Sequence, residues 1–445
     1  MALIAQALFY GTHAETRQAK QRRAIHGAIF SEFIDMFDIY LPTVVLSPVL
    51  FYFQPTQLDP SLQAIFVSLV FITTLLGRPI GALIFGVAAD RLGRRMASIT
   101  SVAGFGIITL LIAFLPGYQQ IGIASYWLLV LLRFLDGICL GGGYTGAHPL
   151  AIEYSEKEKR GLVGGLILAA FPAAYIAITL VAMLMFALFP LNGIDSPYAQ
   201  WGWRIPFVIG ALLAGVLVYY YMFKVSESEI WEVETDARRE KVPLSDLLSG
   251  RSGRNLVQVL IMMTGFWLTQ NIITIFIPTT LLLKFFHLSK YELTSTLLIS
   301  YMVLVFSYIA SGVIGQKIGR RRFFVTVGPI IAVLGSAILY VLIEVPGLSL
   351  ATIIALVCVL SVLATSPWGV IVTYINERFV TDVRATGFGI GFSLSVIIPS
   401  FYAFYMNWLG AVMPFQLTPV ALLFVGGIVG TIGAALGPET KHVDF

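Results

Sequence analysis

Apolar residues fall along the chain in twelve long blocks, each cut off by a polar turn. At about 20 residues for one crossing of a bilayer, the blocks predict spans at 25–53, 62–88, 97–115, 125–150, 160–189, 203–223, 254–283, 292–316, 323–343, 350–375, 385–410 and 415–436. The longest hydrophilic break, Lys224 to Arg254, carries Glu227, Glu229, Glu232, Glu234, Asp236, Arg238, Arg239 and Lys241 and divides six spans from six. The expected organisation is an N-terminal segment 1–24, a six-helix bundle 25–223, a linker 224–253 with a surface helix, a second bundle 254–436 and a tail 437–445. The predicted fold class is all-α: twelve transmembrane helices in two six-helix bundles.

One polar turn is used twice. Gly86 to Arg95 reads GVAADRLGRR between the second and third blocks, and Gly315 to Arg322 reads GQKIGRRR between the eighth and ninth. One acid and three arginines in ten residues cannot lie in hydrocarbon, so the stretch predicts a tight aqueous turn. Its recurrence at the same place in each half indicates internal duplication.

Composition agrees with the pattern. Hydrophobic residues make up 58% and charged residues 12%, against roughly a quarter charged in a soluble domain, and mean hydropathy is +0.86. The net charge of +4 could suggest nucleic acid, but the basic residues fall in short clusters between blocks. With the N-terminus inside, 23 of the 28 Lys and Arg residues lie on inner segments, against Arg204, Lys284 and Lys290 outside and Arg78 and Arg133 within spans. Positive residues stay inside, so both termini are expected in the cytoplasm and the protein in the cell membrane. Cys139 and Cys358 sit apart in apolar blocks, which indicates neither a disulfide framework nor a metal site. The short apolar piece Ala2 to Tyr10, with Arg17, Lys20, Arg22 and Arg23 after it, lacks the order of a signal peptide. No GxxxxGK[ST] phosphate loop, catalytic constellation or cofactor motif appears. An ATP-driven pump, an enzyme and a nucleic-acid partner are therefore not expected.

Six plus six spans, a long linker and a twice-used basic turn resemble the major facilitator superfamily over the whole chain. Within it, several stretches are similar to the metabolite:proton symporter family: Gly77-Arg78-Pro79-Ile80-Gly81-Ala82, Gly202-Trp203-Arg204-Ile205-Pro206-Phe207, Glu377-Arg378-Phe379 with Arg384-Ala385-Thr386-Gly387, and Asp35-Met36-Phe37-Asp38. The last also resembles an element of the aromatic-acid:proton symporters. Three departures stand out. Gly142-Gly143-Tyr144 replaces Gly-Gly-Glu-Trp, Ser226-Glu227-Ser228-Glu229 replaces Pro-Glu-Ser-Pro, and Gln316 stands where the first turn has Asp90.

The resemblance implies gating by the two turns and their neighbours: Gly86, Asp90, Arg91, Gly93, Arg94, Arg95, Glu153, Arg160, Arg320, Glu377 and Arg384. In it, Asp90 pairs with arginines or with the positive end of a helix in the other half; the alternative is a topological anchor.

An intramembrane carboxylate is a functional candidate because a charge at mid-bilayer costs at least a few kcal/mol unless paired or hydrated. Counted from His26 at 1.5 Å per residue, Asp35 lies roughly 13 Å deep and Asp38 roughly 18 Å. Arg78, counted from Asp90, lies at roughly the depth of Asp38. These residues are expected to pair, with Asp35 or Asp38 taking a coupling proton and Arg78 binding substrate; a permanent structural ion pair is the rival reading. Glu32, one turn nearer the cytoplasm, is expected to be wetter. Arg133 and Asp136 share a helix face, in a stretch resembling a second superfamily motif tied to proton transfer. Their depth, roughly 30 Å from Glu153, also fits an interfacial pair. His148 could titrate near neutrality or serve as a structural hydrogen-bonding group.

Candidate substrate contacts are Tyr40 in the first half and Trp267, Gln270, Asn271, Tyr301, Trp368 and Tyr374 in the second, with Tyr308, Ser366, Thr373, Asn376 and Tyr402 as further polar lining. Each could equally be packing.

The expected function is a proton-coupled secondary-active symporter that imports a small organic acid, carboxylate or aromatic, by alternating access. A betaine or quaternary-amine osmolyte symporter is the alternative, since the acids of span one suit a cation and an aromatic cage would hold it. A drug exporter fits less well because Gly161 to Phe189 lacks the Gly-Pro-rich antiporter pattern, and a transporter-like receptor stays open. Expected partners are the small solute, protons and the bilayer, with a monomer as the default.

Overall fold

The computed structural model describes residues 16–55, 60–237 and 247–445. Residues 1–15 of the N-terminal segment and 238–246 of the linker, with Arg238, Arg239 and Lys241, lie outside the described residues, as do the side chains of Glu234 and Asp236.

The described chain is helical throughout, and twelve helices are long and apolar enough to cross a membrane. They are α1 (Arg17–Tyr52), α2 (Pro60–Leu92), α3 (Arg94–Ala113), α4 (Ala124–Tyr154), α5 (Arg160–Leu188), α6 (Arg204–Lys224), α7 (Gly250–Phe285), α8 (Lys290–Ile318), α9 (Arg320–Glu344), α10 (Leu350–Arg378), α11 (Thr381–Leu409) and α12 (Thr418–Ala435). Large apolar side chains such as Phe114, Phe306 and Trp408 are exposed, which suits contact with lipid tails. A short helix, Glu229–Ala237, follows α6 in the linker.

Contacts divide the chain into two compact units, Met1–Tyr154 with Ala174–Lys241, and Ser155–Ala173 with Val242–Phe445. The first half of α5 thus packs with the second unit and the rest of α5 with the first.

In the first unit α4 is central, packed on α1, α2 and α3. Glycines set its distance from α2: a Cβ on Gly77 would meet the Phe134 and Ile138 backbone, and one on Gly141 the backbone of Arg78 and Ala82. Two small-xxx-small pairs, Gly77/Gly81 and Gly137/Gly141, let the backbones touch. In the second unit α12 packs along α7 and α9.

The opening helix of each unit loosens midway. α1 is α-helical over Arg17–Tyr40, then runs as a wide π turn at Leu41–Leu46 and a 3₁₀ turn at Ser47–Tyr52, with Pro42 and Pro48 at the breaks. α7 is α-helical over Gly250–Asn271 and π-helical over Ile272–Phe285, around Pro278. Proline removes a ladder hydrogen bond, and wide turns absorb the loss.

Candidate functional site

The acids of α1 are each claimed by a different base. Asp35 Oδ2 lies 2.8 Å from Arg78 Nη2, and both side chains are buried. The Arg78 guanidinium also stands 4.9 Å from the centre of the Tyr144 ring, at the position where the related motif has an acid. One turn further along α1, Asp38 Oδ2 lies 3.1 Å from Arg133 Nη1, and Asp38 Oδ1 accepts a 2.6 Å bond from Thr109. Arg133 also meets Asp136 at 2.8 Å and donates to Thr74 Oγ1 at 3.1 Å. One turn back, Glu32 Oε2 lies 3.2 Å from His148 Nε2.

Two depth-based expectations are corrected. Arg78 pairs with Asp35 rather than with Asp38, whose partner is the fully buried Arg133. Glu32 is not wet: it is 2% exposed, against His148. Rise gives spacing along one helix but not the offset between neighbouring helices, and α1 begins at Arg17 behind the cap Thr16, well before His26.

The network therefore holds four carboxyl groups, Glu32, Asp35, Asp38 and Asp136, against the guanidiniums of Arg78 and Arg133 and one imidazole. It also has spare valence, because Asp35 Oδ1 and Arg133 Nη2 are buried without a hydrogen-bond partner among the described residues. Such a cluster can take up protons and can exchange a carboxylate partner at a guanidinium. Tyr40 closes the α-helical part of α1 edge-on to Tyr175, at 4.9 Å between ring centres.

The basic turns form two matching networks. Arg94, fully buried, reaches Asp90 Oδ1 and Glu153 Oε1, each at 3.3 Å, and its Nη1 donates to Ala89 O at 3.0 Å. Arg95 Nε donates to Tyr221 O at 2.9 Å, Arg91 is exposed and Gly86 is buried in α2. In the other turn Arg320 makes two 3.1 Å bonds to Glu377 and one of 2.8 Å to Gln316 Oε1. Gln316 thus occupies the place of Asp90 without its charge, and also accepts from Gly161 N and donates to Lys157 O. Arg160 Nη1 lies 3.8 Å from Glu377, and the Phe445 ring sits against Arg160 and Arg384, at 3.7 and 3.8 Å from ring centre to guanidinium carbon. Gly93 and Gly319, both at φ +106°, make the reversals in a region that side chains rarely adopt.

Two acids missed in the sequence complete these networks. Glu227 accepts from Arg94 N at 2.9 Å and Arg95 N at 3.0 Å, capping α3. Glu439 accepts from Arg320 N at 2.8 Å, capping α9. A carboxylate satisfies orphan amides at the positive end of a helix. Burial nonetheless pushes the Glu227 carboxyl above its ordinary range, against the lowering effect of its bonds to the amides of Ser228, Arg95 and Arg94. The signal was available: each acid follows the last span of its half and precedes Ser228 or Thr440.

The second unit gathers aromatic rings instead of charges. Trp267, Trp368 and Phe392 meet edge to face, with centres 4.5 to 5.7 Å apart. Trp368 Nε1 and Gln270 Oε1 are buried without a hydrogen-bond partner among the described residues, while Trp267 Nε1 donates to Phe392 O and Asn271 to Pro399 O. Tyr301 and Tyr308 pack on Phe171. Tyr374 sits elsewhere, against Phe324 and bonded to Gln258 Oε1 at 3.4 Å. Thr373 donates to Arg160 O, and Ser366 and Asn376 donate to carbonyls of their own helix.

Comparison with known proteins fits this geometry. The sequence model of the Major Facilitator Superfamily matches residues 28–438. The inner membrane metabolite transport protein YhjE of Escherichia coli is 26% identical over 440 residues, covering 95% of each chain. The proline/betaine transporter of Escherichia coli is 25% identical over 95% of this chain and 84% of its own. A putative proline/betaine transporter of Staphylococcus haemolyticus is 32% identical over 61% of this chain and 57% of its own. Among solved structures, the proton:xylose symporter XylE bound to 6-bromo-6-deoxy-D-glucose superposes with a TM-score of 0.76 at 17% identity, covering 96% of this chain and 97% of that one.

Proposed function

The chain belongs to the Major Facilitator Superfamily and is a membrane transporter, and we propose that it is a proton-coupled symporter importing a small carboxylate-bearing organic acid by alternating access. The observation that carries this reading is the buried network of α1, with four carboxyl groups against two guanidiniums. When Asp35 accepts a proton its hold on Arg78 weakens, and the guanidinium is left to grip a substrate carboxylate in its place. Release of the proton on the inner side restores the Asp35–Arg78 pair and expels the substrate there. Asp38, Arg133 and Asp136 form a second carboxylate exchange behind it, and Glu32 with His148 gives the proton a path along the same helix. The Arg94 and Arg320 networks gate the movement, and both termini lie on the cytoplasmic face of the cell membrane.

A second reading, a betaine or other quaternary-amine solute, is favoured by the three mutually edge-on rings of Trp267, Trp368 and Phe392, since aromatic faces attract a cation that lacks N–H donors. Two relatives are named for proline and betaine.

Uptake by purified protein in liposomes separates the readings. With an inward proton gradient, mono-, di- and tricarboxylates, aromatic acids, amino acids and betaine are offered in turn. Accumulation of one acid, abolished by a protonophore, supports the first reading; accumulation of betaine alone supports the second. Downhill exchange with no accumulation would sink proton coupling.

A further inference from the structure

The second unit carries a basic recess that the chemistry above does not use. Arg251 and Arg254 project from the first turn of α7, and Arg378 ends α10. With Asn255, Gln258 and Leu436 they line a cavity of about 340 Å³ whose lining contains no carboxylate among the described residues.

Arg378 is held there by neutral groups. Its Nε donates to Gln258 Oε1 at 3.0 Å, its Nη2 to Asn255 Oδ1 at 2.5 Å, and Asn255 Nδ2 donates back to Arg378 O at 2.7 Å. Gln258 is fixed in turn through Gly433 O at 2.6 Å. Amides orient a guanidinium but leave its charge uncancelled, and the like charge of Arg251 acts on it as well. Three guanidiniums, one of them rigidly set, thus face one recess whose lining holds no acid among the described residues.

The first unit shows what a neutralised version looks like. Tyr154 follows Glu153 as Arg378 follows Glu377, and it stands among the charges of Glu227, Glu229 and Glu232 rather than beside arginines. Lys20, at the start of α1, pairs with Glu229 at 2.8 Å. The same corner of the duplicated fold is acid-balanced in one half and cationic in the other.

We infer that this recess is a binding site for a phosphate-bearing anion, with Arg251, Arg254 and Arg378 as its donors. Planar guanidinium forks match phosphate oxygens in pairs, and a basic recess between helices beside the bilayer surface is a place where phospholipid headgroups lodge. A headgroup and a free phosphate compound share this chemistry.

The test uses full-length protein in neutral detergent. Native mass spectrometry with equal phosphatidylglycerol and phosphatidylcholine reads the lipid arm, and thermal unfolding with inorganic pyrophosphate at fixed ionic strength reads the free-anion arm. Preferential retention of phosphatidylglycerol by about tenfold, lost in R251Q/R254Q and reduced but still present in R251K/R254K, which keeps the charge without the fork, assigns the site to a headgroup. A saturable rise in Tm with pyrophosphate, lost in the first variant and reduced in the second, assigns it to a free anion. Both substituted residues are exposed, so the variants should fold. No preference in either arm, or responses unchanged in R251Q/R254Q, would overturn the proposal.

Discussion

The two halves share a frame and differ in what they bury. Each has a glycine at φ +106°, an arginine pinned to a buried glutamate, and a further glutamate capping the helix after the turn. Inside, the first half holds Glu32, Asp35, Asp38 and Asp136 with Arg78, Arg133 and His148. The second, near the matching break in its opening helix, holds Gln270, Asn271 and Trp368, with Trp267 half-buried beside them. What is duplicated is architecture and what is not is chemistry, because a carboxylate at mid-bilayer costs at least a few kcal/mol that folding alone does not require.

The comparison breaks most visibly at Arg78. Arg78→Gln strands Asp35 as an unpaired buried acid and should cost about 3–5 kcal/mol, read as a large fall in Tm, while R78Q/D35N should recover much of it. Trp368→Phe, in the second half, should shift Tm far less. Next is transport itself. Asp35→Asn and Asp38→Asn should each cut proton-driven accumulation by about 100-fold while sparing downhill exchange, and full accumulation in both variants would remove the first-half interior as the coupling site.

The frame predicts equality instead. Glu153→Gln and Glu377→Gln each weaken a charge-assisted contact and should cost roughly 1.5–3 kcal/mol, similar in the two halves; a loss confined to one half would show that the turns are not equivalent.

The smallest effect concerns the caps. Glu227→Gln and Glu439→Gln should each cost about 1 kcal/mol. Because burial raises the Glu227 pKa above its ordinary 4.5, the native state holds more protons than the unfolded one between the two values. That contribution to stability is present at low pH and lost as pH rises through the folded value. A pH series of melting temperatures should show this fall in the parent and not in E227Q.

How much of this could be read in advance differs by level. Twelve spans, two turns and the charged members of the α1 network were legible, because hydrocarbon admits charge only at turns or in pairs; Thr109 and Thr74 were not. The pairing was not. Helical rise gives spacing along one helix and leaves the offset between neighbouring helices unset. Rise also ignores the close approach allowed by Gly77 and Gly141, and the reach of an arginine stem along its helix. Tyr374 was misjudged for a related reason: span ten fixes its depth but not its rotation, which turns it to Phe324 and Gln258.

The caps also say something about biosynthesis. Arg94 meets Glu227 across 133 residues and Arg320 meets Glu439 across 119. On the ribosome, each basic turn is therefore made long before the acid that satisfies its exposed amides. Until the last residues of a half emerge, that half carries an uncapped helix start beside a cluster of arginines. Membrane insertion of the half can proceed, but its locking waits for Glu227 or Glu439, so translation order separates insertion from completion and makes each half finish as a unit.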